Sequence, residues 1–259
     1  MHTELDRQAS SSLINLAFLM EGRHPYTAGH MWRVARFSTF LGRKLGFSNN
    51  DIITLRVAAL LHDLGKVMIP VEILCKPGPL SEDELAMLKA HPKVGSELVR
   101  RCSVGGALEG IIRHHHESYD GNGYPDSLRG EEILASARII AIADAFDALT
   151  SARPYRKAMS VAKALAILDE QKDKQFDGTL VSAFLDIPVK ELKPVIGHIP
   201  NGMPLIECLS CGPVISVCKS IKDGDIVLCR ICSERFQLHQ RRESHFIKQE
   251  LSRHLASVG

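Results

Sequence analysis

The sequence predicts an all-helical bundle that makes up most of the chain, followed by a small β-rich module and a C-terminal helix. Three observations carry that expectation. Up to about residue 190 the apolar residues recur at helical spacing, and five of six apparent helical segments lie there. Five of the seven cysteines follow residue 200, four of them in the pairs "CLSC" and "CRIC". Between these regions, "PVKELKPVIGHIPNGMP", 188 to 204, holds four prolines and two glycines, which break any regular period. The expected division is a helical domain at 1–190, a linker at 191–204, a β-rich module at 205–238 and a helical tail at 239–259.

With 259 residues and 45% hydrophobic content, the chain can bury one full core plus a small appendage. Thirty-two basic residues against thirty acidic ones leave a formal charge of +2, so nucleic-acid binding is not indicated by electrostatics. The start, "MHTELDRQAS", lacks a basic segment followed by an apolar run, and no stretch offers the roughly eighteen uncharged apolar residues of a membrane span. A soluble, cytoplasmic chain is expected. An odd number of cysteines that includes two CxxC pairs suits metal in a reducing compartment better than disulfides. No internal repeat or low-complexity tract is visible.

Taken in order, Met31, Val34, Leu41 and Leu45 share one face of the first helix. Ser48 with Asp51 resembles a capping box opening the second, and Ser81 with Glu84 is a fuller one before "LAMLKAH". Pro92 disfavours helical geometry at His91, which places that histidine at a bend or helix junction. "ALEGIIRHHH" reads as a helix running into "HHHESYDGNGYPDSLRG", residues 114–130. "ILASARIIAIADAFDALTS" reads as a long central helix, apolar on nearly every side.

Burial makes the acids of that last helix informative. Asp144 and Asp147 have Ala, Ile, Phe and Leu on all faces, and an ionised carboxylate in such a place must be paired, protonated or metal-bound. His62 and Asp63 follow the apolar run "VAALL" and pose the same problem. His30, His62, His91, His115 and His116 each fall at a helix end or junction, where side chains from different helices can converge. Imidazole nitrogen and carboxylate oxygen together are the ligands that Mn, Fe, Zn or Mg accept, so the shared solution is a metal site.

The stretches "PYTAGHMWRVA", "LLHDLGK", "KAHPKVGSELV", "HHHESYDGNGYPDSLRGEEI", "ARIIAIADAFDALTSARPYRKAMS" and "QFDGTLVSAFL" together resemble an HD-GYP domain, a branch of the HD metal-dependent phosphohydrolases. The resemblance runs over roughly residues 13–187, about two thirds of the chain. It implies a bimetal centre of divalent transition metals, Fe or Mn first, with Asp63 bridging the two ions. One ion would take His62, Asp63 and Asp144 together with His30; the other would take Asp63, His91, His115 and His116. Some relatives bind a third ion through a glutamate four residues before the first of these histidines, where this chain has Tyr26, so two ions are expected.

The activity implied is hydrolysis of a phosphodiester in cyclic dinucleotides, chiefly cyclic di-GMP, to linear pGpG or GMP. A water or hydroxide held between two cations has a lowered pKa and attacks at neutral pH. Asp63 and Lys66 are the residues implied in catalysis, and Lys66, Arg153 and Arg156 match the family's cationic positions facing the phosphates. In the loop, Gly121 and Gly123 are expected to allow positive φ and close approach to a ligand, with Tyr124 stacked on a guanine and Pro125 stiffening the turn. Read alone, the same residues describe an ordinary surface turn. Asp147 either hydrogen-bonds a metal-ligating histidine or pairs with Arg153.

Cys208, Cys211, Cys229 and Cys232, with residues 212–228 between the two pairs, read as a four-cysteine structural zinc site in a ribbon of short strands. Cys218 is an extra thiol. "HQRRESHFIKQELSRHL" reads as a basic amphipathic helix with Phe246, Ile247, Leu251 and Leu255 along one side, suited to packing against the protein or a dimer mate. Ribbon and tail together would recruit a protein partner. Two alternatives to cyclic di-GMP hydrolysis stand beside it: a phosphohydrolase for another cyclic or linear nucleotide, and a non-hydrolytic cyclic-dinucleotide sensor that signals through a partner.

Overall fold

In the computed structural model the described residues are 16–17, 29–100, 105–151, 157–197, 205–208, 212–216, 224, 226–228, 235–240 and 246–250. The chain divides into two compact units, 1–198 and 199–259. The first contains α1 (His30–Lys44), α2 (Asn49–Leu61), a 3-10 segment (Leu64–Met68), α3 (Val71–Leu74), α4 (Glu82–Lys89) and α5 (His91–Arg100). It continues through α6 (Gly105–Arg113), a 3-10 turn (Gly130–Glu132), α7 (Ala135–Thr150), α8 (Val161–Glu170), α9 (Gly178–Leu185) and α10 (Val189–Leu192). No named strand occurs among its described residues. None of the described helices is long and apolar enough to cross a membrane.

Local chemistry explains the boundaries. The Ser48 hydroxyl accepts from the Asp51 amide at 3.2 Å to open α2. A complete capping box opens α4: Ser81 Oγ accepts from the Glu84 amide at 3.3 Å, and Glu84 Oε2 accepts from the Ser81 amide at 2.7 Å. Helix α7 is central because it is apolar nearly all round; Ile139, Ile140, Ile142 and Phe146 are fully buried. Phe146 meets Phe37 edge-to-face at 5.0 Å and Phe184 at 5.1 Å, which ties α1, α7 and α9 into one core.

One close approach positions the future site. A Cβ on Gly65 would lie 2.0 Å from the His91 carbonyl oxygen and 2.6 Å from the Gly95 nitrogen. Only glycine therefore lets the 3-10 segment rest on the first turn of α5, and that contact brings the start of α5 against His62 and Asp63.

Two expectations need correction. Leu192 and Val195, inside the expected linker at 191–204, are buried in the core of the first unit. The prolines at 188 and 194 break the helix there, but Ile187, Leu192 and Val195 still present apolar surface to be covered. The expected C-terminal helix is also not what forms at Phe246–Glu250. In the second unit β1 (Leu205–Cys208) pairs antiparallel with β2 (Gly212–Ser216), and β3 (Ile226–Leu228), β4 (Arg235–Gln240) and β5 (Phe246–Glu250) form an antiparallel meander. Strand pairing from Gln240↔Phe246 to Phe236↔Glu250 overrides a weak local preference for helix. The side chains of Cys208, Cys211, Cys218, Cys229 and Cys232, and residues Tyr26, Arg153, Arg156, Leu251 and Leu255, lie outside the described residues.

Replacing Gly65 with Ala is expected to lower unfolding stability by about 2–4 kcal/mol in a denaturant titration, because backbone rather than a flexible side chain fills the space. Gly78→Ala, with nothing within 4 Å of its Cβ position, is the control and should stay within about 0.5 kcal/mol of the parent protein.

Candidate metal centre

Each histidine of interest sits where a helix starts or stops. His30 and His91 open α1 and α5; His62 follows α2; His115 and His116 follow α6. Asp63 comes next to His62 as the chain turns into the 3-10 segment, and Asp144 projects from the middle of α7. The structure brings these seven residues together. Ligand atoms within 4.8 Å of one another form the groups His30, His62, Asp144; His91, His115, His116; and His62, Asp63, His115.

The tautomers follow from local hydrogen bonds. Nδ1 of His62, His91 and His115 lies 2.8, 2.7 and 2.6 Å from the carbonyl oxygen three residues earlier, of Ala59, Leu88 and Ile112 respectively. A carbonyl can only accept, so each Nδ1 carries the proton and each Nε2 is a lone pair. His30 Nδ1 donates to Asp147 Oδ2 at 2.8 Å, so in the neutral ring its Nε2 is the lone pair that a cation would take.

These lone pairs face one another. His91 Nε2 is 3.3 Å from His115 Nε2 and 3.2 Å from Asp63 Oδ1. Asp63 Oδ2 is 3.5 Å from His62 Nε2 and 3.7 Å from His30 Nε2, and Asp144 Oδ1 is 3.3 Å from His30 Nε2. Buried His62 Nε2 and Asp63 Oδ1 find no hydrogen-bond donor. A buried acceptor without a donor costs on the order of 1–3 kcal/mol, and a divalent cation is a species that would satisfy His62 Nε2 and Asp63 Oδ1 at once. The donor set fits the metal chemistry expected of it.

Electrostatics agree. Burial lowers the pKa of His62, drives that of His115 well below the usual imidazole value, and pushes His116 down to about 3, so all three are free bases at neutral pH. For His30, burial acts downward but is outweighed by the Asp147 hydrogen bond and the charges of Asp147, Asp144 and Asp63, so its pKa is raised. That negative field is what a cation would meet. Burial opposes ionisation of Asp63, yet the Lys66 ammonium, first among its neighbours, holds its carboxyl well below the ordinary range. Lys66 Nζ donates to Asp63 Oδ2 at 2.6 Å and is 30% exposed. The preceding helix ends at Leu61 with His62 as its C-cap, and Lys66 reaches back to Asp63 from the 3-10 segment that follows.

Asp147 bonds to His30 and to a residue that the sequence reading missed. Arg33 Nε donates to Asp147 Oδ1 at 2.6 Å and its Nη2 to Oδ2 at 3.0 Å, with both side chains almost fully buried. Arg33 falls one turn after His30 on an otherwise apolar helix face, which was the available signal. Glu117, also missed, is buried and follows directly on the three histidines. Its carboxylate accepts from the amides of Asp126 at 2.7 Å and Leu128 at 3.2 Å, fastening the loop to the ligand segment. His114, first of the three histidines, faces away to Asp126, whose carboxylate also receives Arg113.

The loop itself differs in part from expectation. Gly121 takes a positive φ of 88°, but Gly123 does not. Gly123 is needed because a Cβ would lie 2.1 Å from the Ser118 nitrogen and 2.5 Å from the Glu117 Cα. Its glycine serves packing within the loop. Tyr124, joined to Pro125 by a cis peptide, lays its ring on His116 at 5.0 Å and 27°. Burial, then the charges of Asp63 and Asp144, raise the Tyr124 pKa, so it stays a phenol.

Asp147→Asn would remove the buried carboxylate charge that Arg33 Nε and Nη2 meet and leave His30 less firmly oriented. A stability loss of roughly 3–5 kcal/mol by denaturation is expected, with metal affinity weakened about 10–100-fold in a calorimetric titration. Glu117→Gln replaces one acceptor by a donor opposite a backbone amide and should cost about 1–3 kcal/mol, read in the same denaturation experiment.

Residues 15–180, more than half of the chain, match the family described as HD domain. The cyclic di-GMP phosphodiesterase response regulator RpfG of Xanthomonas campestris pv. campestris is 42% identical over 186 residues, covering 70% of this chain and 49% of that protein. The 3'3'-cGAMP-specific phosphodiesterase 3 of Vibrio cholerae is 43% identical over 159 residues, covering 61% and 35%. A solved HDG"Y"P protein from Bdellovibrio bacteriovorus superposes with a TM-score of 0.52 at 26% identity over 62% of this chain and 51% of that one. The chain spans about half or less of the length of the curated relatives it matches. With that match over its helical unit, the chain belongs to the HD domain family.

Proposed function

We propose that the chain is a metal-dependent phosphodiesterase that hydrolyses cyclic di-GMP to linear pGpG or GMP. The observation that carries this reading is the convergence of histidines and acids on Asp63, whose Oδ2 faces His30 and His62 while its Oδ1 faces His91, with His62 Nε2 and Asp63 Oδ1 buried and unpartnered. In this reading His30, His62 and Asp144 would hold one divalent ion and His91, His115 and His116 a second, with Asp63 shared between them. Nitrogen and oxygen donors in this mixture suit Fe or Mn. Bound there, such a pair lowers the pKa of a water and draws negative charge off a phosphoryl oxygen.

The protein's own groups do the rest. Carbonyls of Ala59, Leu88 and Ile112 keep the imidazoles in the ligating tautomer. Asp147, fixed by Arg33, does the same for His30. Lys66, reachable from solvent beside Asp63, offers an ammonium to a non-bridging phosphate oxygen, and Arg153 and Arg156 are assigned to the same task by the family resemblance. Tyr124, beside the centre on His116, is assigned to stack on a guanine. The bond from water oxygen to phosphorus forms as the bond to the 3'-oxygen breaks, and the proton ends on that oxygen. The four cysteines of the second unit would hold a structural zinc, and that unit would dock a protein partner.

The printed activities of the relatives support a cyclic dinucleotide diester as the substrate class. A second reading, hydrolysis of 3'3'-cGAMP, rests on the Vibrio cholerae relative. Both are tested by loading the full chain with Mn(II) or Fe(II) under reducing conditions, adding each cyclic dinucleotide separately and resolving products by chromatography. Cyclic di-GMP should be opened, with turnover lost on chelation, restored by Mn(II), and reduced roughly a hundredfold or more by Asp63→Ala. Faster turnover of 3'3'-cGAMP would select the second reading, and tight binding with no product would contradict the enzyme in favour of a sensor.

A further inference from the structure

We propose that Lys89 binds the phosphodiester of a cyclic dinucleotide that is not being cleaved. The inference rests on the substrate class proposed above and extends it to a second contact point outside the metal centre.

Lys89 is the last residue of α4 and is exposed. Its Nζ stands 5.4 Å from the centroid of the Tyr124 ring, which in turn lies on His116 at 5.0 Å. The ammonium is thus no more than about 10 Å from the imidazole of a centre residue. Its backbone adjoins the turn that positions His91. Ala90 caps α4, His91 opens α5, and Leu88, the neighbour of Lys89, gives its carbonyl to His91 Nδ1.

The neighbouring lysines each already have a carboxylate beside them. Lys66 pairs with Asp63, and Lys76 pairs with Glu84 at 2.6 Å. Among the described residues no carboxylate lies within ion-pairing distance of Lys89. A cation resting on a phenol ring at an exposed site is only weakly satisfied and is free to take an anion. A cyclic dinucleotide supplies that anion, since its two phosphodiesters each carry a negative charge on one covalent ring. When one occupies the centre, the other must lie a ring's width away, toward the rim that Tyr124 and Lys89 form. A lysine suits this place: three donors on a flexible stem accept a phosphate in several orientations.

The test uses the full, metal-loaded chain and its variants Lys89→Met and Lys89→Arg. Kinetics are compared on cyclic di-GMP and on bis(p-nitrophenyl) phosphate, which has a single phosphate. For Lys89→Met, KM for cyclic di-GMP should rise roughly tenfold with kcat within about twofold, the size expected of one charge-assisted contact, and Lys89→Arg should recover most of it. The ratio of kcat/KM between the two substrates should fall by about the same factor. A parental KM and ratio in Lys89→Met would overturn the inference, as would a rise in KM that tracks lost metal in the same preparation. If the parent protein cleaves bis(p-nitrophenyl) phosphate but no cyclic dinucleotide, the proposed function itself fails.

Discussion

Lone pairs meet lone pairs at the heart of the helical unit. His91 Nε2 faces both His115 Nε2 and Asp63 Oδ1, and His30 Nε2 faces the carboxylates of Asp63 and Asp144, with Lys66 at one edge. Such an arrangement is unfavourable for bare protein, because buried acceptors without donors forfeit their hydration. Helix packing alone does not reward it. Its occurrence across five segments of chain makes sense when the missing partner is positive and compact, and the negative field at His30 is what such a partner would meet.

Holding seven side chains in that unfavourable pose takes a supporting structure, and the fold supplies it at three levels. Backbone carbonyls one helical turn back pin three imidazoles. The Asp147–Arg33 pair, buried between α1 and α7, pins a fourth. Glycines at 65 and 123 remove the side chains that would hold segments apart, so that α5 reaches the centre and the loop folds onto Glu117. Tyr124 is then carried to His116 by a loop whose carboxylate anchor, Glu117, is the very next residue in the chain. Ligands and substrate loop are thereby indexed to one another.

The helices, their caps and the residues of the centre were legible because their chemistry is local or compositional. Capping Ser81 announces itself three residues before Glu84, and a carboxylate in "IAIADAFDALT" is conspicuous where every neighbour is apolar. What escaped depends on long-range contact. Arg33 looks like any helical arginine until α7 is placed beside it, and Glu117 acquires its role only when the loop returns. Gly123 was read as making room for a ligand, whereas its close neighbour is the backbone of Ser118. The tail at Phe246 has helical spacing and still pairs as a strand, since pairing with β4 is invisible in a local window.

The central claim is that this cluster of acceptors is a binding site for two divalent cations bridged by Asp63. Crystals of the Mn(II)-loaded chain, measured for anomalous scattering, test it most directly. The account predicts two peaks roughly 3.5–4 Å apart on either side of the Asp63 carboxylate, one contacted by His30, His62 and Asp144 and the other by His91, His115 and His116. One peak alone, or manganese bound elsewhere while these residues keep to themselves, would contradict it.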